Sequence, residues 1–356
     1  MVNLGVIFGG MSTEGEISVK SGKSVLDNLD KEKYNIFPIY IDKNGEWYKY
    51  DSSEKIENII KYLKKMDVVF PVLHGLYGED GTIQGLLELL KIPYVGCKVL
   101  ASSIGMEKAF TKILFEKAKI NQAKYLYIKK YKDDKFIYVD ENLLETKVDL
   151  NEIVNLVNKK LKYPVFVKPS NSGSSVGVNK AENDEELREN IKIAAKYDNK
   201  ILIEQGIIGK EVECAVIGNS KIGVEVSRVG EILSAENFYT FNAKYENKES
   251  KTIIPATISE KQSEIIRTLA VRAFKAIDGN GLSRVDFFVE NETGKVYINE
   301  INTMPGFTDI SMYPKLMEDL GYNYSALLDK LIEIANCWSF RSILIRTILI
   351  KILLRL

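Results

Sequence analysis

Histidine occurs once in this 356-residue chain, at position 74, and cysteine three times, at 97, 214 and 337. One imidazole and three widely spaced thiols leave no ligand set for a structural or catalytic zinc. Three cysteines, few and odd in number, give no disulfide framework and point to a reducing compartment. Charge of one sign is not in excess: Lys+Arg and Asp+Glu number 49 each, for a formal net charge of zero. No basic surplus exists to displace counterions from a nucleic acid, so none is expected as a partner. The chain has no glycine loop ending in Lys-Ser/Thr and no dinucleotide fingerprint spacing. It has no internal repeat. Met1 runs directly into a strand pattern with no signal peptide ahead of it, so a cytoplasmic location is expected. The 45% hydrophobic content and the length suit two or three globular domains.

The chemistry-bearing residues fall in four segments. Pro71-Val-Leu-His-Gly-Leu-Tyr-Gly-Glu-Asp-Gly-Thr-Ile-Gln-Gly85 holds the sole histidine and four glycines between an apolar run from Val68 to Leu73 and another from Ile83 to Leu90. A strand that ends in a polar, glycine-rich loop before a helix is where open α/β sheets bind ligands. At the N-terminus, the buried-strand pattern Val2 to Phe8 leads into Gly9-Gly10-Met11-Ser12-Thr13-Glu14-Gly15-Glu16-Ile17-Ser18. Ser12 or Thr13 can cap the following helix, while Glu14 can grip a substrate ammonium. In Tyr163-Pro-Val-Phe-Val-Lys-Pro-Ser-Asn-Ser-Gly-Ser-Ser-Val-Gly177 a β-branched strand delivers Lys168 to a small-residue loop. Backbone N–H groups and the hydroxyls of Ser174 and Ser175 can meet phosphate oxygens there. A lysine at the end of an apolar strand is costly without an anionic partner, which favours a phosphate over a plain surface hairpin.

The fourth segment is Gly281-Leu-Ser-Arg-Val-Asp286 followed by Val296-Tyr-Ile-Asn-Glu-Ile-Asn-Thr-Met-Pro-Gly306. Glu300 and Asn302, two apart on one strand, project from the same face. With Asp286 they form a hard oxygen donor set suited to Mg²⁺ near a phosphate. Arg284 alternates onto the face of Asp286. There it can stabilise charge developing in a transition state, the alternative being a structural salt bridge between the two.

Taken together, GGMSTEGEIS, PVLHGLYGEDGTIQG, KPSNSGSSVG, SRVDFF and NEINTMPGFT resemble the D-alanine–D-alanine ligases of the ATP-grasp superfamily, from about Val2 to Ala335. The resemblance implies an α/β and α+β protein with the ATP-grasp fold and an N-terminal doubly wound parallel-sheet domain. It implies ATP and two Mg²⁺ as cofactors (Mn²⁺ is an alternative), D-alanine as substrate, and a homodimer. It places Lys108, Lys168, Ser174 and Ser175 on the ATP phosphates, Glu204 at the adenine and Glu211 at the ribose. Asp286, Glu300 and Asn302 would bind the metals. Glu14 and His74 would hold the first D-alanine. Ser311, with Lys244, Tyr245, Gly306 and Met312, would hold the second. Glu14, Ser175, Arg284 and Tyr245 would be catalytic. Gln205 and Phe241 stand where many relatives have lysine and tyrosine.

The expected units are 1–100, an α/β substrate domain; 101–180, a small central unit beginning with a helix through Ser102 to Lys108; 181–336, the metal-binding unit; and a tail, 337–356. The stretch 129–147 reads as an exposed hairpin or loop, 260–276 as a helix, and 234–251 as a lid that excludes water. No lid histidine is present, and Ser311 is followed by Met312-Tyr313-Pro314. Both features favour D-alanine over D-lactate as acceptor, with D-serine as the near alternative. A different ATP-grasp enzyme, such as a carboxylase subunit, would leave the His74 loop and the Gly9-Gly10 motif unexplained, and a non-catalytic nucleotide-binding regulator would not need Arg284 and the metal ligands. The tail is too short and too charged for a membrane span. Its basic residues share no helical face, so truncation after Asn336 is expected to preserve ligation.

Overall fold

A computed structural model describes residues 1–132, 135–233 and 251–337. Lys244, Tyr245 and Phe241 of the expected lid, and the tail beyond Cys337, lie outside the described residues. The first sheet contains β1 (Val2–Gly9), β2 (Tyr34–Ile41), β3 (Trp47–Lys49), β4 (Glu54–Lys55) and β5 (Val68–Pro71), in the order β4-β3-β2-β1-β5. Strand β1 is parallel to both β2 and β5, while β3 and β4 extend the sheet antiparallel. Both faces are covered, which is why β1 runs apolar from Leu4 to Phe8 rather than alternating. Leu4, Val6 and Phe8 face Val25 and Leu29 of helix α1 (Gly15–Asn28). Ile7, Ile39 and Val69 face Leu63 of α2 (Ile59–Leu63) and Ile83 and Leu87 of α3 (Thr82–Leu90).

The Ser102–Lys108 stretch is not one helix. α4 (Val99–Met106) ends and α5 (Lys108–Lys117) begins at Glu107, whose backbone is non-helical at φ −90°, ψ 87°. The next sheet is antiparallel, with β6 (Tyr125–Lys130), β7 (Phe136–Val139), β8 (Glu145–Val148), β9 (Val165–Pro169), β10 (Asn179–Ala181) and β11 (Lys200–Gln205) in the order β10-β9-β11-β6-β7-β8. The β6-β7-β8 meander is the expected hairpin region. The boundary expected at 180 falls inside this unit. Strand β11 pairs with β9 and β6, and α6 (Leu150–Lys160) and α7 (Asp184–Ala194) bury Val157, Leu187 and Ile191 against the same core.

The third sheet contains β12 (Gly209–Asn219), β13 (Gly223–Leu233), β14 (Lys251–Ile253), β15 (Gly281–Glu290) and β16 (Val296–Asn302), in the order β14-β13-β12-β15-β16. Helix α8 (Glu260–Ala276), closed by a Ser259/Gln262 capping box, buries Ile266, Ala270, Ala273 and Phe274 on one face. The other face meets α9 (Met312–Asp319) and α10 (Tyr324–Asn336). Helix α10 follows the third sheet in sequence but shares its core with the first: Leu327, Leu328 and Leu331 cluster with Leu4, Val6 and Phe70. Asp329 accepts a hydrogen bond from the Tyr34 hydroxyl at 2.8 Å and pairs with Lys33 at 2.6 Å. Helix α10 therefore fastens the first unit to the last.

Gly22 lets α1 lie against β1. A Cβ there would stand 2.4 Å from Phe8 Cγ. Alanine ordinarily gains about 1 kcal/mol over glycine inside a helix, but overpacking a tight core costs roughly 1–3 kcal/mol. Gly22→Ala is therefore expected to lower the urea midpoint despite its better helix propensity. An unchanged or raised midpoint would show that α1 can move away from Phe8 without cost.

Candidate active site

One cavity of about 420 Å³ lies where the three units meet. It is lined by Glu14, His74, Lys108, Lys168, Ser174, Ser175, Glu204, Glu211, Arg284, Asp286, Glu300, Asn302, Gly306, Ser311 and Met312. Every expected site residue within the described residues is thus brought to one place. Their detailed partners are less uniform than the expectation.

β15 and β16 build the floor. Asp286 is directly opposite Glu300 and Arg284 opposite Asn302, so the four side chains form a square on one face of the sheet. The register shifts just after Asp286, a bulge of the kind found at working sites. Arg284 makes a two-point contact with Asp286, Nε to Oδ1 at 2.8 Å and Nη2 to Oδ2 at 2.7 Å. The ion pair posed as an alternative to a site is thus present within it. Glu213, unmarked in the sequence reading, lies across the strands from Asp286 and approaches Arg284 Nε at 3.0 Å. An acid inside the apolar run of β12 was the signal for it. Asn302 Nδ2 donates to Asp286 Oδ2 at 3.0 Å. Among the described residues no three His, Cys, Asp or Glu side chains cluster as metal ligands. A metal set here needs the Asn302 amide oxygen beside the two carboxylates. That all-oxygen donor chemistry fits Mg²⁺ and does not suit zinc.

Lys168 comes from β9 and Lys108 from the first turn of α5. Lys108 Nζ donates to the Ser172 carbonyl at 2.6 Å and stands 3.9 Å from Glu300. Lys168 pairs with Glu204 at 2.8 Å, and Lys112, one turn beyond Lys108, reaches the other Glu204 oxygen at 3.2 Å. Burial alone would raise the Glu204 pKa, but the two ammonium groups overrule it and hold the carboxylate below its usual range. Lys112 is itself lowered, chiefly by burial. Its spacing of four from Lys108 was the available sign that it belonged to the site. Glu204, expected at the adenine or its surroundings, turns its carboxylate to these lysines.

Between the lysines runs the loop 170–177. Ser174 and Ser175 adopt left-handed backbone at φ 46° and 60°, sparsely populated for residues with a Cβ. Such strain is characteristic of sites where N–H groups converge on an anion. Ser174 donates to Glu14. The serine facing the expected ammonium ligand is therefore Ser174, whereas the catalytic role had been placed at Ser175. Glu14 itself occupies the N-cap position of α1 without a side-chain cap. Ser12, expected to cap that helix, donates instead to the His74 carbonyl at 2.7 Å and accepts the Glu14 N–H at 3.2 Å. Gly75, at φ 71°, is required here, because a Cβ would stand 2.3 Å from Glu14 Oε2.

His74 is buried with both ring nitrogens engaged by the protein. Nδ1 lies 3.1 Å from the Met304 carbonyl and must carry the proton, since a carbonyl only accepts. Nε2 then accepts from the Ser21 hydroxyl at 2.9 Å, and Ser21 in turn accepts the Phe307 N–H at 3.2 Å. Glu79 takes the N–H groups of Gly75 at 2.9 Å and Met304 at 3.0 Å. The histidine and the glutamate therefore hold the 304–307 turn that presents Gly306. Burial first, then the nearby Glu14 carboxylate, push Glu79 up to about 8 against those two hydrogen bonds. Gly306 packs under Ser311, whose hydroxyl sits 2.8 Å from that of Thr308. Met312 is a wall of the cavity, its thioether packed over Gly230.

Burial drives the His74 pKa from 6.5 down to about 4. The unfolded histidine takes a proton below pH 6.5 while the folded one does not, so acid favours unfolding. His74 should remove roughly 3 kcal/mol of stability as pH falls from 6.5 to 4. His74→Gln should flatten that part of the wild-type stability curve. Parallel curves for wild type and variant in that window would show that the imidazole protonates in the folded protein.

Residues 3–97 match the family described as D-ala D-ala ligase N-terminus, and residues 114–333 the family described as D-ala D-ala ligase C-terminus. The D-alanine--D-alanine ligase of Acetivibrio thermocellus is 49% identical, over 93% of this chain and 94% of its own. Among solved structures, the VanG D-Ala:D-Ser ligase from Enterococcus faecalis superposes with a TM-score of 0.80 at 35% identity, covering 94% of this chain and 99% of that one. The D-alanine--D-alanine ligase from Bacillus anthracis, complexed with ATP, has a TM-score of 0.74 at 28% identity, with 94% and 97% covered. The three-sheet architecture is the ATP-grasp fold, and the chain belongs to the D-alanine–D-alanine ligase family of ATP-dependent ligases.

Proposed function

We propose that this enzyme joins two D-alanines through an acyl phosphate, releasing ADP and phosphate, as a step in building peptidoglycan precursors in the cytoplasm. The observation that carries the reading is the convergence of a carboxylate–serine pair, two lysines, an arginine and an all-oxygen donor set on one cavity. A carboxylate is a poor acyl donor because oxide would have to leave. Attack of the first D-alanine carboxylate oxygen on the γ-phosphorus expels ADP and leaves an acyl phosphate. The second amine then attacks the carbonyl carbon, and phosphate departs.

Lys108 and Lys168 spread the phosphate charge, and Ser174 and Ser175 lay the 170–177 loop over it. Glu14 takes the ammonium of the first substrate, oriented by Ser174. Arg284 and the Gly306 N–H face the carbonyl oxygen, where negative charge grows. Ser311, with Lys244 and Tyr245, receives the second D-alanine, and Glu211 the ribose. Asp286, Glu300 and Asn302 would hold two Mg²⁺, which when bound neutralise the phosphates and polarise the transferred group. His74 acts on the substrate site through the Met304–Phe307 turn, because both its nitrogens are taken. A homodimer is the expected assembly.

With ATP, Mg²⁺ and an equimolar mixture of D-alanine, D-serine and D-lactate, mass spectrometry should find D-alanyl-D-alanine as the main product, with ADP released. Glu300→Gln should keep the fold and lose turnover by a factor of at least about 10². AMP as product would overturn the phosphoryl-transfer chemistry, and a dominant D-alanyl-D-serine would move the acceptor assignment to D-serine.

A further inference from the structure

The two lysines assigned to the phosphates come from elements with different attachments. Lys168 ends a strand of the central sheet. Lys108 opens α5, whose Phe115 is buried in the core of the third sheet. Nothing in the covalent chain fixes the distance between them, yet both must meet one triphosphate. Ser170, fully buried two residues beyond Lys168, is where they are joined. Its N–H donates to the Lys200 carbonyl at 2.8 Å, and its carbonyl accepts the Lys108 N–H at 3.0 Å. Its hydroxyl accepts the Ala109 N–H at 2.9 Å and donates to Glu107. The second Glu107 oxygen pairs with Lys200 Nζ. Glu107 is buried at the break between α4 and α5, and none of its contacts reaches the cavity lining.

We propose that Glu107 is a positioning residue for nucleotide binding. Through Ser170 and Lys200 it welds the first turn of α5 to the end of β9, and so sets the separation of Lys108 and Lys168 and anchors the start of the 170–177 loop. A carboxylate suits this place because it accepts from two donors at once and carries charge opposite to the lysine on β11. Its position at the N-terminus of α5, where the helix dipole favours negative charge, adds to that preference. The backbone leaves the helical region at Glu107, which ends α4 and starts α5 at this point.

The inference rests on Lys108 and Lys168 being phosphate ligands, so the experiment separates the two readings. The dissociation constant of Mg·ADP, and the KM for ATP and for D-alanine, would be measured on Glu107→Ala, Glu107→Gln, Ser170→Ala and Lys168→Met. Glu107→Ala and Ser170→Ala should each weaken Mg·ADP about tenfold, the worth of one hydrogen bond to a charged group. They should raise the KM for ATP in proportion and leave the KM for D-alanine within about twofold. Glu107→Gln, which keeps an acceptor for Ser170, should recover most of the loss. If Glu107→Ala does not fold, Lys200→Met cuts the same linkage from its more exposed side and should show the smaller shift in the same direction. Normal Mg·ADP binding in folded Glu107→Ala and Ser170→Ala, with Lys168→Met impaired, would sink the positioning role alone. Normal binding in Lys168→Met would instead remove the phosphate assignment on which it stands.

Discussion

Charge matching inside a water-poor cleft is the constraint that organises this protein. Lys108, Lys112, Lys168 and Arg284 all lie largely buried, and an ammonium or guanidinium out of water is tolerated only beside an anion. The chain supplies Glu204 for two of the lysines, Glu300 for a third, and Asp286 with Glu213 for the arginine. The same pairs explain how the site can accept a polyanion. Each lysine already faces a cavity wall, and a phosphate oxygen competes with a carboxylate that remains nearby to hold the side chain in place. Under the proposed function the acids likewise exchange a cationic neighbour for a divalent cation. Pairing compensates these buried charges within the protein itself.

The sheets exist to deliver these pairs. Antiparallel registry places Asp286 opposite Glu300 and Glu213 opposite Asp286, so three acids gather without any one strand carrying them in sequence. The central sheet contributes Lys168 and Glu204 from adjacent strands, two positions apart in the register, with Lys168 opposite Leu202 and Glu204 opposite Phe166. The first unit contributes Glu14, His74 and Glu79 from loops that follow its parallel strands, where side chains and helix starts converge. Helix α10, packed on the first sheet through Leu327 and Leu331 and tied by Asp329 to Tyr34, keeps those loops over the third sheet.

Much of this was legible in the chain. Glycine-rich loops after apolar runs, oxygen ligands alternating along a strand and a lysine at a strand end all mark positions by local pattern, and each was found in the cavity. Helix 260–276 was readable because its capping box and apolar spacing agree. What local pattern cannot carry is which donor meets which acceptor across units. Glu204 looked like a nucleotide ligand, and its lysine partners come from a strand 36 residues earlier and a helix earlier still. Ser174 and Ser175 are equivalent in sequence, and only the left-handed turn of the loop decides that Ser174 reaches Glu14. Ser12 follows the rule for a helix cap, but its oxygen accepts the Glu14 N–H just ahead of the helix while its hydroxyl donates to the His74 carbonyl, 62 residues away. Position 180 lies within the central sheet for a related reason: strand 200–205 is chosen by the sheet whose gap it fills between β9 and β6.

The His74 arrangement shows how a single polar residue can serve a site without touching what the site binds. Its tautomer is dictated by the Met304 carbonyl, and its second nitrogen is saturated by Ser21, which also takes the Phe307 N–H. The turn between Met304 and Phe307 thereby loses the freedom to rotate its peptide groups, and under the proposed function the Gly306 N–H within it is aimed before any carbonyl oxygen arrives. Donors fixed in advance cost no reorganisation when charge develops, which is the source of most electrostatic catalysis. Protonation would end this arrangement, since an imidazolium cannot accept from Ser21, and the low pKa imposed by burial keeps the ring neutral above about pH 4.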